Sequence, residues 1–223
     1  MKIIGHRGAK GLAAENTLAS FKRALEYQVD GIELDVHLTK DGVLVCSHDP
    51  VLFAFAKPFA IAEHTYDDLL RNFPDLPTLE SAIETVNRRV PMVIEVKETT
   101  PAQPVIECIQ GFLSKGWQLQ DFSFCSFSQW QLVELRKAFP DAELIPNEDW
   151  SSVKACWRAR QLHSKRISMN QKWLWRGYLR AMHNRGWKVS SYTINDVNQF
   201  KKWQPYLYSV YTDYPDRFVK PKD

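Results

Sequence analysis

The sequence predicts an eight-stranded β/α (TIM) barrel, and three observations carry that expectation. Strand-like and helix-like segments alternate along the 223 residues; two strand-like stretches sort ionisable side chains onto one face and aliphatic ones onto the other; and histidines fall at strand ends. With 44% hydrophobic residues the chain can bury one large core, so a single domain over residues 1–223 is expected.

The elements follow in order. Lys2-Ile3-Ile4-Gly5 reads as a short buried strand ending at His6-Arg7-Gly8, where glycines let the backbone turn beside two cationic side chains. Asn16 is the candidate N-cap of a helix on which Leu18, Phe21, Leu25 and Val29 recur at helical spacing. In Gly31–Leu38 a period of two groups Ile32, Leu34, Val36 and Leu38 against Glu33, Asp35 and His37. Lys40-Asp41-Gly42 turns the chain into Val43–Cys46, a second extended run that delivers His48-Asp49-Pro50. Residues 51–76 lack a clear period, carry Phe53, Phe55 and Phe59, hold a short helix near Tyr66–Leu70, and read as a lid segment after the second strand.

Thr78 caps a helix to about Asn87, and Met92–Lys97 repeats the two-faced pattern with Glu95 and Lys97 on one side. Helices over 101–115, 128–138, 151–160, 172–184 and 196–203 then alternate with strands Phe122–Ser126, Glu143–Ile145, Arg166–Met169, Lys188–Ile194 and Leu207–Thr212. With Val43–Cys46 left aside, the eight strands counted from Ile3, with a helical segment in nearly every interval, favour a closed barrel over an open sheet. The aliphatic strand faces then lie under the helices. The ionisable ones point inward.

A net charge of +3 tolerates an anionic ligand without the field of a nucleic-acid binder, so no nucleic acid is expected as partner. Cys46, Cys108, Cys125 and Cys156 are far apart and form no C-x-x-C, which suits reduced packing residues. The start of the sequence has no apolar signal core and no run is long enough to span a membrane, so a cytoplasmic location is expected. Oligomeric state is not legible.

Glu33 and Asp35 alone would suit the solvated face of an ordinary strand. Glu95, inward on a second strand of the same polarity, changes that balance: three carboxylates at one barrel mouth call for a hard divalent cation, Mg²⁺ or Ca²⁺, as cofactor. Zinc fits less well, because no Cys/His spacing supports it. His6 and His48 at flanking strand ends can serve as base and acid near neutral pH, although each alone could be a structural or turn residue. Arg7 and Lys97 are placed to hold an anion, and phosphate suits the charge layout. His37 falls beyond the carboxylates and reads as a rim residue.

These motifs resemble a known family. His6-Arg7-Gly8, Glu15-Asn16-Thr17, Gly31–Val36, Thr39–Gly42, His48-Asp49, Pro77-Thr78-Leu79, Glu95-Val96-Lys97, Tyr192–Asn195 and Thr212–Pro215 resemble, in order, the glycerophosphodiester phosphodiesterases, members of the PLC-like phosphodiesterase superfamily. The resemblance implies metal-dependent hydrolysis of a small glycerophosphodiester to sn-glycerol 3-phosphate and an alcohol. By it, Glu33, Asp35 and Glu95 bind the metal, His6 and His48 form the acid–base pair, and Arg7 and Lys97 contact phosphate.

The sequence also departs from the family pattern. Ala14 stands where a proline is usual, and Tyr192 replaces a tryptophan that contacts glycerol. Phe53 and Phe55 stand where the family has an Arg-Thr and Gly-rich pattern; with Tyr192 they are candidates for the substrate pocket, and an apolar lid there would accept an acyl chain, the other and favoured reading being that these phenylalanines simply pack the lid. Two alternatives therefore accompany the main reading: a lysophospholipase D-like activity in the same site, and a non-catalytic phosphodiester-binding barrel. Residues 150–195 carry ten Lys/Arg, no Asp or Glu, and Trp157, Trp173, Trp175 and Trp187. The expectation is that these tryptophans fill the seam between helices and barrel, with weak contact to anionic lipid as the alternative.

Overall fold

A computed structural model of the chain describes residues 1–219. Eight strands run parallel and close on themselves: β1 (Lys2–Gly5), β2 (Gly31–Leu38), β6 (Met92–Val96), β7 (Phe122–Ser126), β8 (Glu143–Glu148), β9 (Arg166–Asn170), β10 (Lys188–Tyr192) and β11 (Ser209–Thr212). Closure comes from β1, which pairs with β11 on one side and β2 on the other. Between them lie β3 (Leu44–Cys46), β4 (Val51–Ala54) and β5 (Lys57–Ala60), which are not barrel staves. The extended run expected at Val43–Cys46 forms β3, which folds back antiparallel on the end of β2 and pairs Cys46 with Val36.

The helices are α1 (Leu18–Leu25), α2 (Tyr66–Leu70), α3 (Leu79–Val86), α4 (Ala102–Ser114), α5 (Gln129–Ala138), α6 (Ser152–Gln161), α7 (Arg176–Asn184) and α8 (Val197–Trp203). Side-chain oxygens cap several of them: Thr17 accepts from the Ser20 amide, Thr78 from Ser81 and Ser151 from Lys154. The cap of α1 is therefore Thr17 rather than Asn16. The helix expected over 172–184 begins only at Arg176, because Gln171–Trp173 form a separate 3₁₀ turn.

Burial follows the alternation along the strands. Ile32, Leu34 and Val36 of β2 and Met92, Ile94 and Val96 of β6 face outward, fully buried in one cluster with Phe21 and Ala24 of α1 and Leu79 and Ile83 of α3. Inside the barrel Ile4, Val93, Cys125, Ile145 and Tyr211 form a second, smaller cluster, which plugs the interior below the mouth. Such full burial contributes roughly 1.5–3 kcal/mol for each large aliphatic side chain.

Residues 51–76 are more ordered than their pattern suggests. β4 and β5 form a two-stranded hairpin, and this segment wraps a third cluster of Val45, Ile61, Leu69 and Leu76, with Phe59 and Phe73 edge to face at 5.5 Å. Phe55 and Ala56 form the hairpin turn, both with positive φ. The tryptophans also depart from expectation. Trp187 is buried against the core, but Trp157, Trp173 and Trp175 are exposed.

Candidate active site

Register sets the site. Asp35 of β2 pairs with Glu95 of β6 at one level of the mouth, and Glu33 lies one inward position lower. All three are buried, and one oxygen from each lies within 4.8 Å of the others. Carboxylates packed this closely out of water resist ionisation. Burial, reinforced by the charges of Asp35 and Glu95, holds the Glu33 pKa well above the usual range, and burial with Asp35 raises Glu95 to about 7. Burial opposes ionisation of Asp35 as well, but Lys97, Arg7 and the Asn16 amide more than offset it, and its pKa falls.

The basic residues come from adjoining strand ends. The Lys97 ammonium bridges Asp35 Oδ1 at 2.5 Å and Glu95 Oε1 at 2.6 Å. Arg7 follows β1 in a left-handed turn with Gly8; a β-carbon on Gly8 would fall 2.3 Å from Ser20 Oγ, so the loop packs directly on α1. The Arg7 amide donates to Glu33 Oε2 at 2.8 Å, its Nη1 donates to Glu15 at 2.8 Å, and its Nε lies 3.4 Å from Asp35.

Each histidine is held through Nδ1 by an aspartate. His6 Nδ1 lies 2.7 Å from Asp213 Oδ1, and Asp213 is itself fixed by Asn195, whose Nδ2 donates to Oδ2 at 2.7 Å. His48 Nδ1 lies 2.8 Å from Asp49 Oδ1. An aspartate oxygen accepts, so Nδ1 carries the proton on both rings and Nε2 is left for a ligand. Both histidines line one cavity of about 240 Å³ with Arg7, Glu33, Asp35 and Glu95. His37 is not at the rim: it is buried, with Nε2 3.2 Å from the His48 carbonyl, and it supports the backbone that carries His48.

Tyr192 lines the same cavity, packed edge to face on Phe127 with ring centroids 6.2 Å apart, and its hydroxyl donates to Asp149 Oδ1 at 3.1 Å. Phe53 and Phe55 do not reach it, and no residue of 51–76 lines it. The hairpin stands beside the mouth: Phe53 lines a neighbouring groove that begins at His48, and Phe55 projects from the turn 93% exposed.

Several residues of the site had escaped sequence reasoning. Asn16 clamps Asp35, donating from Nδ2 to Oδ2 at 2.9 Å and accepting the Asp35 amide at 3.2 Å. Asn147 Nδ2 donates to Glu95 Oε2 at 2.9 Å. Asp213 and Asn195 stand in the closing motifs without a role that spacing could assign. A signal for Asn147 existed: it continues the inward alternation Glu143, Ile145 past Pro146.

Comparison with known proteins agrees with this geometry. Residues 6–217 match the model of the glycerophosphoryl diester phosphodiesterase family. The glycerophosphodiester phosphodiesterase of Bacillus altitudinis is 29% identical over 240 residues, covering 100% of this chain and 98% of that protein. Among solved structures, an Oleispira antarctica phosphodiesterase in complex with its product sn-glycerol-3-phosphate superposes with a TM-score of 0.84 at 26% identity, covering 97% of this chain and 94% of the other. The glycerophosphodiester phosphodiesterase of Thermotoga maritima gives 0.78 at 25% identity, covering 98% and 96%. On fold, motif order and full-length similarity together, the chain belongs to the glycerophosphoryl diester phosphodiesterase family.

Proposed function

We propose that this enzyme hydrolyses small glycerophosphodiesters to sn-glycerol 3-phosphate and an alcohol, with one divalent cation, Mg²⁺ or Ca²⁺, and with His6 and His48 as the acid–base pair. The observation that supports this most is the meeting, in one cavity, of two aspartate-held histidines with three buried carboxylates from two strands. The donor set fits a hard cation: it is all oxygen, and Glu33 and Glu95 show the raised pKa of carboxylates short of positive charge. Held by Glu33, Asp35 and Glu95, such a cation would supply electrostatic stabilisation of the non-bridging phosphate oxygens.

The chain's own groups carry the protons. Burial and the Lys97 charge lower the His48 pKa, which keeps that ring neutral near pH 7 and suits it to take the proton of the glycerol hydroxyl next to the ester. That oxygen bonds to phosphorus as the bond to the alcohol breaks, and His6, entering the step with a proton on each ring nitrogen, gives the Nε2 proton to the departing oxygen. Water then opens the resulting cyclic phosphate with the roles reversed: His6 takes the proton from water, and His48 returns one to the glycerol oxygen. Arg7, which lines the cavity, and Lys97, which lines the adjoining groove, each reach one oxygen of Asp35 and hold the phosphate charge. Tyr192 and Phe127 give the glycerol a wall to rest on.

Glycerophosphocholine turnover, measured with and without a chelator and in His6→Ala, tests this reading. Loss in the chelator and in the variant is expected, and activity persisting in either would refute the assigned roles. One observation favours a second reading, lysophospholipase D-like activity in the same site: Val51, Leu52, Phe53, Phe73 and Leu76 wall a groove that starts at His48 and can take an acyl chain. Turnover of lysophosphatidylcholine that falls in Phe53→Ala is its signature. The four free thiols suit a reducing compartment such as the cytoplasm.

A further inference from the structure

Among the described residues, nine large apolar side chains are left exposed, and eight of them cluster at one end of the barrel. Phe53 and Phe55 lie on the β4–β5 hairpin, Trp130 opens α5, Trp150, Val153 and Trp157 lie before and on α6, and Trp173 and Trp175 precede α7. Each of these segments follows the C-terminal end of a barrel strand, which is the end where the active site opens. The helices' far ends carry no comparable group.

The densest part is continuous. Trp150 and Trp173 pack with ring centroids 5.6 Å apart, although 73% and 48% of their surfaces stay in water. Trp175 packs on Tyr178 of α7, ring centroids 5.3 Å apart. Val153 and Trp157, one helical turn apart, extend the patch along the outer face of α6. Around it the charge has one sign. On this end of the barrel Lys154, Lys172 and Arg176 are exposed, and residues 150–195 contain no acidic residue. The adjoining acids are engaged: Glu148 pairs with Lys154 at 3.0 Å, and Asp149 accepts from Tyr192 and Asn170.

We propose that this tryptophan-rich basic rim docks the barrel mouth onto an anionic phospholipid surface. Indole rings with one polar edge, set among cations, match the boundary between acyl chains and negative head groups, where tryptophan and lysine are favoured. Exposed indoles packed on one another, rather than scattered singly, mark an interaction surface. The inference does not rest on the hydrolytic reading, because docking is measured without turnover.

The test is sedimentation of the full chain with vesicles of equimolar phosphatidylglycerol and phosphatidylcholine, against vesicles of phosphatidylcholine alone, alongside its tryptophan emission. Binding to the anionic vesicles with a blue shift is expected, weaker by about tenfold on the neutral ones and again by about tenfold in Trp150→Ala/Trp173→Ala. Lys172→Glu should weaken it several-fold, and neither variant should alter turnover of soluble glycerophosphocholine. Absence of binding, or binding that both variants leave intact, would overturn the proposal. So would a dimer in lipid-free buffer that the double variant converts to monomer, which would assign the rim to a second copy of this chain.

Discussion

Raising the pH of the metal-free enzyme should destabilise it, and adding the cation should reverse the loss. Glu95 is almost fully buried beside Asp35, and its pKa rises from 4.5 to about 7. Between those values the folded chain holds a proton that the unfolded chain has released, so stability falls as pH rises through the window. The span of about 2.5 units corresponds to a loss of about 3 kcal/mol from Glu95 alone, present in full above pH 7. Glu33 is displaced in the same direction, whereas the lowered Asp35 titrates below this window. A divalent cation binds the ionised form, so its affinity should climb about tenfold between about pH 6 and about pH 8 as Glu95 goes from roughly one-tenth to nine-tenths ionised. Thermal melts with and without Mg²⁺ or Ca²⁺ at the two pH values read both effects, and Glu95→Gln should remove the share that Glu95 carries and leave that of Glu33. A metal-free melting temperature that does not fall over this range, or stabilisation by metal that is equal at both pH values, would refute the reasoning.

Two further substitutions probe the groups that hold the site in place. Asp213→Asn removes the carboxylate that fixes the His6 Nδ1 proton while keeping its shape; kcat for glycerophosphocholine should fall by roughly 10²-fold or more with KM little changed, as steady-state kinetics will record. Asn147→Ala deletes the donor to Glu95 Oε2, and calorimetric titration should find the cation bound about 10- to 100-fold more weakly.

The barrel and the convergence of three carboxylates were legible because one physical regularity acts locally. Alternation along β2 and β6 sorted Glu33, Asp35 and Glu95 inward and their aliphatic neighbours outward, and burial on both faces follows it. What escaped depends on contacts or geometry that a single stretch does not encode. Pro146 lacks a backbone donor, so β8 seemed to stop at Ile145 and Asn147 fell outside it. The β4–β5 hairpin turns on Phe55 and Ala56 with positive φ at both, where Asn-Gly would ordinarily mark the turn. Asn16 has the chemistry of a helix cap, and only the fold shows that its amide is engaged by Asp35 and that Thr17 takes the capping role. The tryptophans misled for a related reason: indole fits a seam or a surface equally well, and composition does not say which face of α6 points outward.

The most direct test is a crystal of the enzyme soaked in Mn²⁺, which scatters anomalously and accepts oxygen ligands. One anomalous peak per chain is expected, with oxygens of Glu33, Asp35 and Glu95 at roughly 2.0–2.6 Å and the His6 and His48 rings facing the same cavity. A peak bound by other residues, or Lys97 still bridging Asp35 and Glu95 with no peak beside them, would contradict the proposed metal centre.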